Sequence, residues 1–120
     1  MLKPIPLKIL SHSITLKVVS TVDQWQAPSF ISYEVSRVHV QPTNDTRMTR
    51  DNTEVSLTSL LFVDARLSTP KLDWQALQDT SLAQGGPMHV TYDGREYVVL
   101  TIDALPDDTG ALHHYEVGLV

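Results

Sequence analysis

Apolar and polar residues alternate with a period of two in several separate segments of this chain, and this pattern constrains the fold more than any other feature. Successive side chains of a β-strand point to opposite faces, so the pattern indicates strands with one buried face. It is first seen at Ile14, Leu16 and Val18, and it recurs up to the C-terminal residues. The fold is therefore predicted to be mainly β.

One strand changes its inward face partway along. Ile31, Tyr33 and Val35 have one parity, whereas Val38 and Val40 have the other. A β-bulge near residues 36–37 explains the change, and bulges of this kind let a strand bend round a barrel wall. We predict a small antiparallel β-barrel with a long inserted loop and at most one short helix.

Two turns organise the C-terminal third of the chain. The Asp93-Gly94 pair predicts a type I′ hairpin turn, because both residue types tolerate the positive φ angles that this turn requires. Asp107, Asp108 and Gly110 predict a second turn, which leads into a last strand that runs to the C-terminus.

Residues 41–54 show no periodicity and are polar apart from Pro42 and Met48. They predict a long loop, and loops of this length inside a compact domain are commonly functional or disordered. We expect this loop to be mobile in an isolated subunit and ordered in an assembly. A third strand is expected directly after it, over residues 55–63.

Residues 72–82 predict a short helix or an irregular turn. Leu72, Ala76 and Leu77 have near-helical spacing, and Gly85, Gly86 and Pro87 end the segment. The alternation also predicts which side chains form the barrel core. These are Leu16, Val18, Tyr33, Val35, Val38, Leu61, Val63, Val90, Tyr97, Val99, Tyr115 and Val117.

Length, charge and composition restrict the classes of protein to which this chain can belong. The 120 residues predict one domain, 1–120, with an apolar N-terminal arm at 1–12. The net charge of −5, with scattered Lys and Arg, argues against a protein that wraps nucleic acid. The absence of Cys excludes disulfides and thiolate zinc sites. Pro4 and Pro6 interrupt the first apolar run, and no stretch is long enough to span a membrane, so a soluble protein is expected.

The C-terminal strand carries the only arrangement that suggests chemistry. His113, His114 and Glu116, with His89 and Asp103 elsewhere, are residue types that bind metals. In an extended strand His114 and Glu116 share a face that His113 does not, so at most two of these three can share a metal. Catalytic zinc normally takes three protein ligands, so we expect no metal or other cofactor.

No motif for nucleophilic or nucleotide chemistry is present, and a non-enzymatic protein is expected. Trp25 and Trp74 flank predicted loops, where a large aromatic side chain either covers the core or anchors a partner. The residues predicted to make assembly contacts are Trp25, His113, His114 and Glu116.

The sequence resembles a family of minor capsid proteins from phages and prophages of Gram-positive bacteria. The resemblance lies in the opening MLKPIP at residues 1–6, the hairpin YDGREY at residues 92–97, and the ending LHHYEVGLV at residues 112–120. The nine residues of the ending are the most specific of the three.

The resemblance implies a protein related to head-completion or stopper proteins. Such a protein forms a homo-oligomeric ring with portal, adaptor and tail partners, and packaged DNA passes through it or is held there without sequence-specific binding. It is found in the virion, and in the host cytoplasm during assembly. Residues 41–54 would project into the channel, and the candidate channel residues are Asn44, Asp45, Arg47, Met48, Arg50 and Asp51.

Two alternatives stay open at this stage. One is a tail-completion or tail-terminator subunit. The other, from a different class, is a small metal-dependent hydrolase that uses His114 and Glu116.

Overall fold

Six antiparallel strands close into a barrel, and one helix packs against it. The computed structural model describes residues 9–22, 28–48 and 52–120. The elements are β1 (His12–Val22), β2 (Pro28–Pro42), β3 (Thr46–Met48), β4 (Glu54–Ser56), β5 (Ser59–Asp64), α1 (Trp74–Gln84), β6 (His89–Tyr92), β7 (Arg95–Pro106) and β8 (Leu112–Leu119). The barrel order is β1-β2-β5-β8-β7-β6, and β3 pairs with β4 in a separate ribbon. The predicted barrel is confirmed.

The bulge lies where the change of parity places it. The β1–β2 register skips Arg37, which has a φ of 59°. The side-chain hydroxyl of Ser68 donates to the carbonyl of Arg37, and Ser36 exchanges two backbone hydrogen bonds with Thr69. The segment that follows β5 therefore holds the bulged backbone in place.

The Asp93-Gly94 turn also has the predicted geometry. Asp93 has a φ of 51° and Gly94 a φ of 74°, as a type I′ turn requires. The turn joins Tyr92 to Arg95, which pair directly.

The predicted core residues are buried, and Tyr33 is half-buried at the margin of the core. The core also takes in side chains beyond the prediction. These are Ile14, Val40, Trp74, Met88 and Leu119. Trp74 is fully buried, so this tryptophan belongs to the core.

The prediction of one continuous third strand over residues 55–63 is wrong, because the structure divides this segment into β4 and β5. The chain changes partners at the break. The N–H of Leu57 donates to the carbonyl of Asp45, whereas the N–H of Thr58 donates to the carbonyl of Leu119 in β8. The alternation of apolar residues continues across the break because Leu57 is itself buried.

The segment predicted as a short helix or irregular turn forms a helix, and Leu72 and Leu77 pack against the core. Its buried residues are Trp74, Gln78 and Ser81, whereas Ala76 is exposed and Leu77 is half-buried. The helix begins after Asp73, whose carboxylate accepts from the N–H of Ala76 as an N-cap.

The buried polar side chains of α1 complete the barrel where β6 is too short to do so. Ser81 Oγ accepts from the N–H of Val19 in β1 at 3.0 Å. Gln78 Nε2 donates to the carbonyl of Val99 in β7 at 3.1 Å, and Gln78 Oε1 accepts from the N–H of Met88 at 2.9 Å. The helix therefore bridges β1 and β7 by hydrogen bonds that an extra strand would otherwise supply.

Replacing Gln78 by Leu leaves the N–H of Met88 and the carbonyl of Val99 buried without partners. We expect the free energy of unfolding to fall by roughly 2–5 kcal/mol, measured by chemical denaturation. The control is Gln75→Leu, because the Gln75 amide bonds only Asp79 on the same helix. Equal stability of the two variants would contradict the proposed role of Gln78.

Candidate functional site

Residues 43–48 and 52–58 leave the barrel as the two arms of a β-hairpin between β2 and β5, called the 43–58 hairpin below. Thr46 pairs with Ser56 and Met48 with Glu54, and the N–H of Thr43 closes the base on the carbonyl of Thr58 at 3.0 Å. The expected loop 41–54 is therefore not irregular throughout, because it contains the end of β2, all of β3 and the start of β4. The strands were missed because both faces of this ribbon carry polar residues, so no alternation marks them.

Arg47 of β3 attaches the hairpin to the barrel wall. Its guanidinium donates to Asp103 Oδ2 of β7 at 2.9 Å and to Glu116 Oε1 of β8 at 3.1 Å. Asp45 lies farther from it, at 3.8 Å. The Arg47 side chain is only 27% exposed, so this contact is shielded more than an ordinary surface ion pair.

Asp103 and Glu116 are directly opposite each other on neighbouring strands. Like charges in this position repel, and Arg47 offsets that repulsion by bonding both. Burial raises the pKa of Glu116, but the hydrogen bonds and charges of His114 and Arg47 outweigh it, and the net pKa is lowered. Burial lowers the pKa of Arg47, but its hydrogen bonds and charge interactions with Glu116 and Asp103 outweigh burial, so the net pKa of Arg47 is raised.

His114 and Glu116 share one face of β8, and they bond each other. His114 Nε2 lies 3.0 Å from Glu116 Oε2, and His114 Nδ1 lies 2.8 Å from His113 Nδ1. Because the ionised carboxylate only accepts, His114 Nε2 donates, and a neutral His114 can then accept from His113 through Nδ1. The result is a chain of polar contacts from His113 through Glu116 and Arg47 to Asp103.

Both carboxylate oxygens of Glu116 are thus bonded to protein groups, and a guanidinium is the cation beside them. His89, the other histidine considered for a metal, bonds Glu96 instead at 3.1 Å. Within residues 9–22, 28–48 and 52–120, no three His, Asp or Glu side chains are arranged to hold a metal ion.

A stripe of rings runs from this cluster round the barrel. The aromatic stripe consists of Tyr92, His12, His39, Phe62 and His114, with successive ring centroids 5.0, 5.1, 6.0 and 6.3 Å apart. Its last three rings line a groove with Ile9 and Gln41. The groove occupies about 280 Å³.

His12 is held in its uncharged form. Its Nδ1 accepts from the N–H of Val40 at 3.0 Å, which requires that nitrogen to carry no proton. Burial, and then the charge of His39, lower the pKa of His12. The two imidazoles stack with an interplanar angle of 15°. His12 therefore adds an uncharged ring to the stripe near neutral pH.

The predicted site residues fall into three groups. Trp25, Arg50 and Asp51 lie outside the described residues. Asn44, Asp45 and Met48 are exposed on the hairpin, where the Asp45 carboxylate lies 3.8 Å from Arg47. Arg47 comes together with Glu116 and, through it, with His114 and His113, so one predicted channel residue and three predicted assembly residues form a single cluster.

Sequence reasoning missed Asp103 as a partner of Arg47, and it missed His12, His39 and Phe62 altogether. The register that starts at the Asp107–Gly110 turn would place Asp103 opposite Tyr115, and a register shift between Leu105 and Pro106 brings Asp103 opposite Glu116 instead, so the turn alone did not predict that pair. Nothing local marks the aromatic stripe, because its rings come from five different strands.

A family model described as minor capsid protein matches residues 6–119 of the chain. The chain belongs to the minor capsid protein family. A search of curated proteins found no match. Family membership gives this minor capsid protein a structural role in the virion, in contact with other virion proteins, and it points away from catalysis. No helix in the described part of the minor capsid protein is long and apolar enough to cross a membrane.

The lowered pKa of Glu116 predicts how stability depends on pH. Because the folded pKa lies below the ordinary 4.5, the ionised form stabilises the fold above that pH, and its contribution is lost as the pH falls through the folded pKa. Glu116→Gln should lower the free energy of unfolding by about 1–3 kcal/mol near neutral pH. The difference should shrink in acid, where Glu116 is itself neutral.

The control for this experiment is Glu34→Gln, since the Glu34 carboxylate is exposed and bonds only the Thr15 hydroxyl. Its effect should stay within about 0.5 kcal/mol. A difference between Glu116→Gln and the unmutated chain that is constant across the pH range would show that the Glu116 charge is not responsible.

Proposed function

We propose that this protein is a connector component of a tailed phage or prophage of Gram-positive bacteria. It acts at the head-to-tail junction, where it closes the portal channel or joins head to tail after DNA packaging. It works as a homo-oligomeric ring between portal or adaptor and tail proteins. It has no enzymatic activity, and it meets its partners in the host cytoplasm during assembly.

The observation that carries this proposal is the hairpin at residues 43–58. It is inserted between two barrel strands that remain paired with each other beneath it, from Val38 to Pro42 on β2. The hairpin can therefore change position without opening the barrel. This suits an element that enters a channel in the assembled ring, with Asn44, Asp45, Arg47, Met48, Arg50 and Asp51 as the channel residues.

The charges of the hairpin support contact with DNA that is weak and independent of sequence. Arg47 is neutralised by Asp103 and Glu116 while the hairpin lies on the barrel. The chain as a whole is acidic, with a net charge of −5. Such a surface lets DNA slide past, and a released Arg47 adds one basic contact in the channel.

The observations favour this role over the hydrolase that His114 and Glu116 suggested. Glu116 is bonded on both oxygens, and the neighbouring cation is Arg47, which would repel a metal ion. Nothing observed favours a tail-completion role, so the experiment must separate that role from channel closure.

The test deletes residues 44–52 in the viral gene. Because the barrel keeps its own strand pairs, the isolated variant should lose no more than about 3 kcal/mol of unfolding free energy. Heads that carry it should fill and then lose their DNA, measured as nuclease-sensitive DNA after packaging. Asp103→Asn is the matched control, since it weakens the contact between hairpin and wall without changing any residue of the hairpin, and it should retain DNA.

Two results would contradict the proposal. Normal DNA retention by heads with the deletion would show that the hairpin does not close the channel. Filled, stable heads that lack tails would instead indicate a role in tail joining alone.

A further inference from the structure

Within residues 9–22, 28–48 and 52–120, nothing covers one edge of β2, on the side that faces away from β1. Ser36 exchanges both its backbone hydrogen bonds with Thr69 on that side. Because backbone groups alternate along a strand, the N–H and C=O groups of Glu34, Ser32 and Phe30 point the same way. Among the described residues, no strand pairs with these three, because β5 joins β2 only beyond the bulge.

Beyond Pro28, this edge lacks the usual protection against pairing with another chain. Edge strands are generally shielded by charge, proline or a covering element. Residues 29–33 carry no charge, and the Glu34 carboxylate bends towards β1, where it accepts from Thr15. Phe30 is 38% exposed and Ile31 is 50% exposed. On the opposite side of the β1–β2 pair, the outer edge of β1 is covered, first by β6 and then by Ser81.

A groove elsewhere on the molecule also combines exposed apolar side chains with an unpaired strand edge. It lies between the 43–58 hairpin, α1 and β7. It occupies about 580 Å³, and its apolar lining comes from Met48, Leu82, Leu100 and Ile102. Met48 and Leu82 are more than half exposed. Along its floor β7 has β8 on one side only, because β6 pairs with β7 no farther than Val98 among the described residues.

We propose that the uncovered β2 edge of one copy docks into this groove on a second copy. Ile31 fills the apolar groove, and the free backbone groups of Ser32 and Glu34 pair with the uncovered edge of β7. The inference rests on the proposed ring and identifies the contact between its subunits.

The second copy is the occupant because the two unpartnered features belong to one chain and complement each other. Each combines an unpaired strand edge with exposed apolar side chains, and the groove has room for more than one large side chain. Within a single copy β1 and α1 separate the edge from the groove, so a copy cannot fill its own groove. A contact between two different surfaces repeats from copy to copy and generates a ring when it closes.

The test uses full-length protein and sedimentation velocity over a concentration series. Ile31→Lys damages the edge and Leu82→Lys damages the groove, and each variant should remain monomeric where the unmutated chain forms higher oligomers. An equimolar mixture of the two should form a dimer, because the intact groove of one variant accepts the intact edge of the other. Thr80→Lys, on the exposed side of α1, is the charge control and should assemble normally.

A second pair of variants tests the backbone part of the contact. Ser32→Pro removes the free N–H without changing the pairing to β1, whereas Ser32→Ala removes only the hydroxyl. Assembly should be lost in the first and kept in the second, with both variants folded by circular dichroism.

Each contrary result overturns the proposal. The proposal fails if the unmutated chain stays monomeric at every concentration. It also fails if the mixture of the Ile31→Lys and Leu82→Lys variants forms no dimer. A portal or tail protein that binds the β2 edge without self-association would identify a different occupant. Oligomers that persist in both lysine variants would show that the ring uses another surface, and this would leave the channel role to be judged by DNA retention.

Discussion

Gln78 and Ser81 reinforce the closed barrel where β6 ends, and the barrel positions the other features of the structure. β6 pairs with only three residues of β1, so a sheet built from strands alone would leave a gap beside Val19 and Val99. Two buried polar side chains of α1 bond the exposed backbone there. The register of β7 and β8 in the closed wall decides which of their charged groups lie opposite each other.

The register brings Asp103 and Glu116 together on the wall, and this pair explains why the hairpin lies where it does. Two carboxylates opposite each other need a cation nearby, and Arg47 supplies it from β3. The contact is electrostatic and only partly buried, so it is strong enough to position the hairpin and weak enough to be exchanged. Such a contact suits an element whose position differs between a free subunit and an assembled one.

The same closure also leaves surfaces that a self-contained protein would normally cover. α1 shields the β1 side of the β1–β2 pair, whereas in the described part of the chain no strand pairs with the other side of β2 from Phe30 to Glu34; α1 also forms one wall of the groove beside β7. These open features are consistent with a minor capsid protein, whose function is contact with other virion proteins.

The sequence by itself determined the strands, the turns and the core, because these depend on neighbours along the chain. Alternation located the bulge at Arg37, and the Asp93-Gly94 pair fixed a turn by its φ preferences. Tertiary structure alone decided the polar buried face of α1, the strands inside residues 41–54, and the joining of Arg47 to Asp103. Each depends on which distant backbone or charge lies opposite, and a polar residue looks the same in the sequence whether water or a strand edge is its partner.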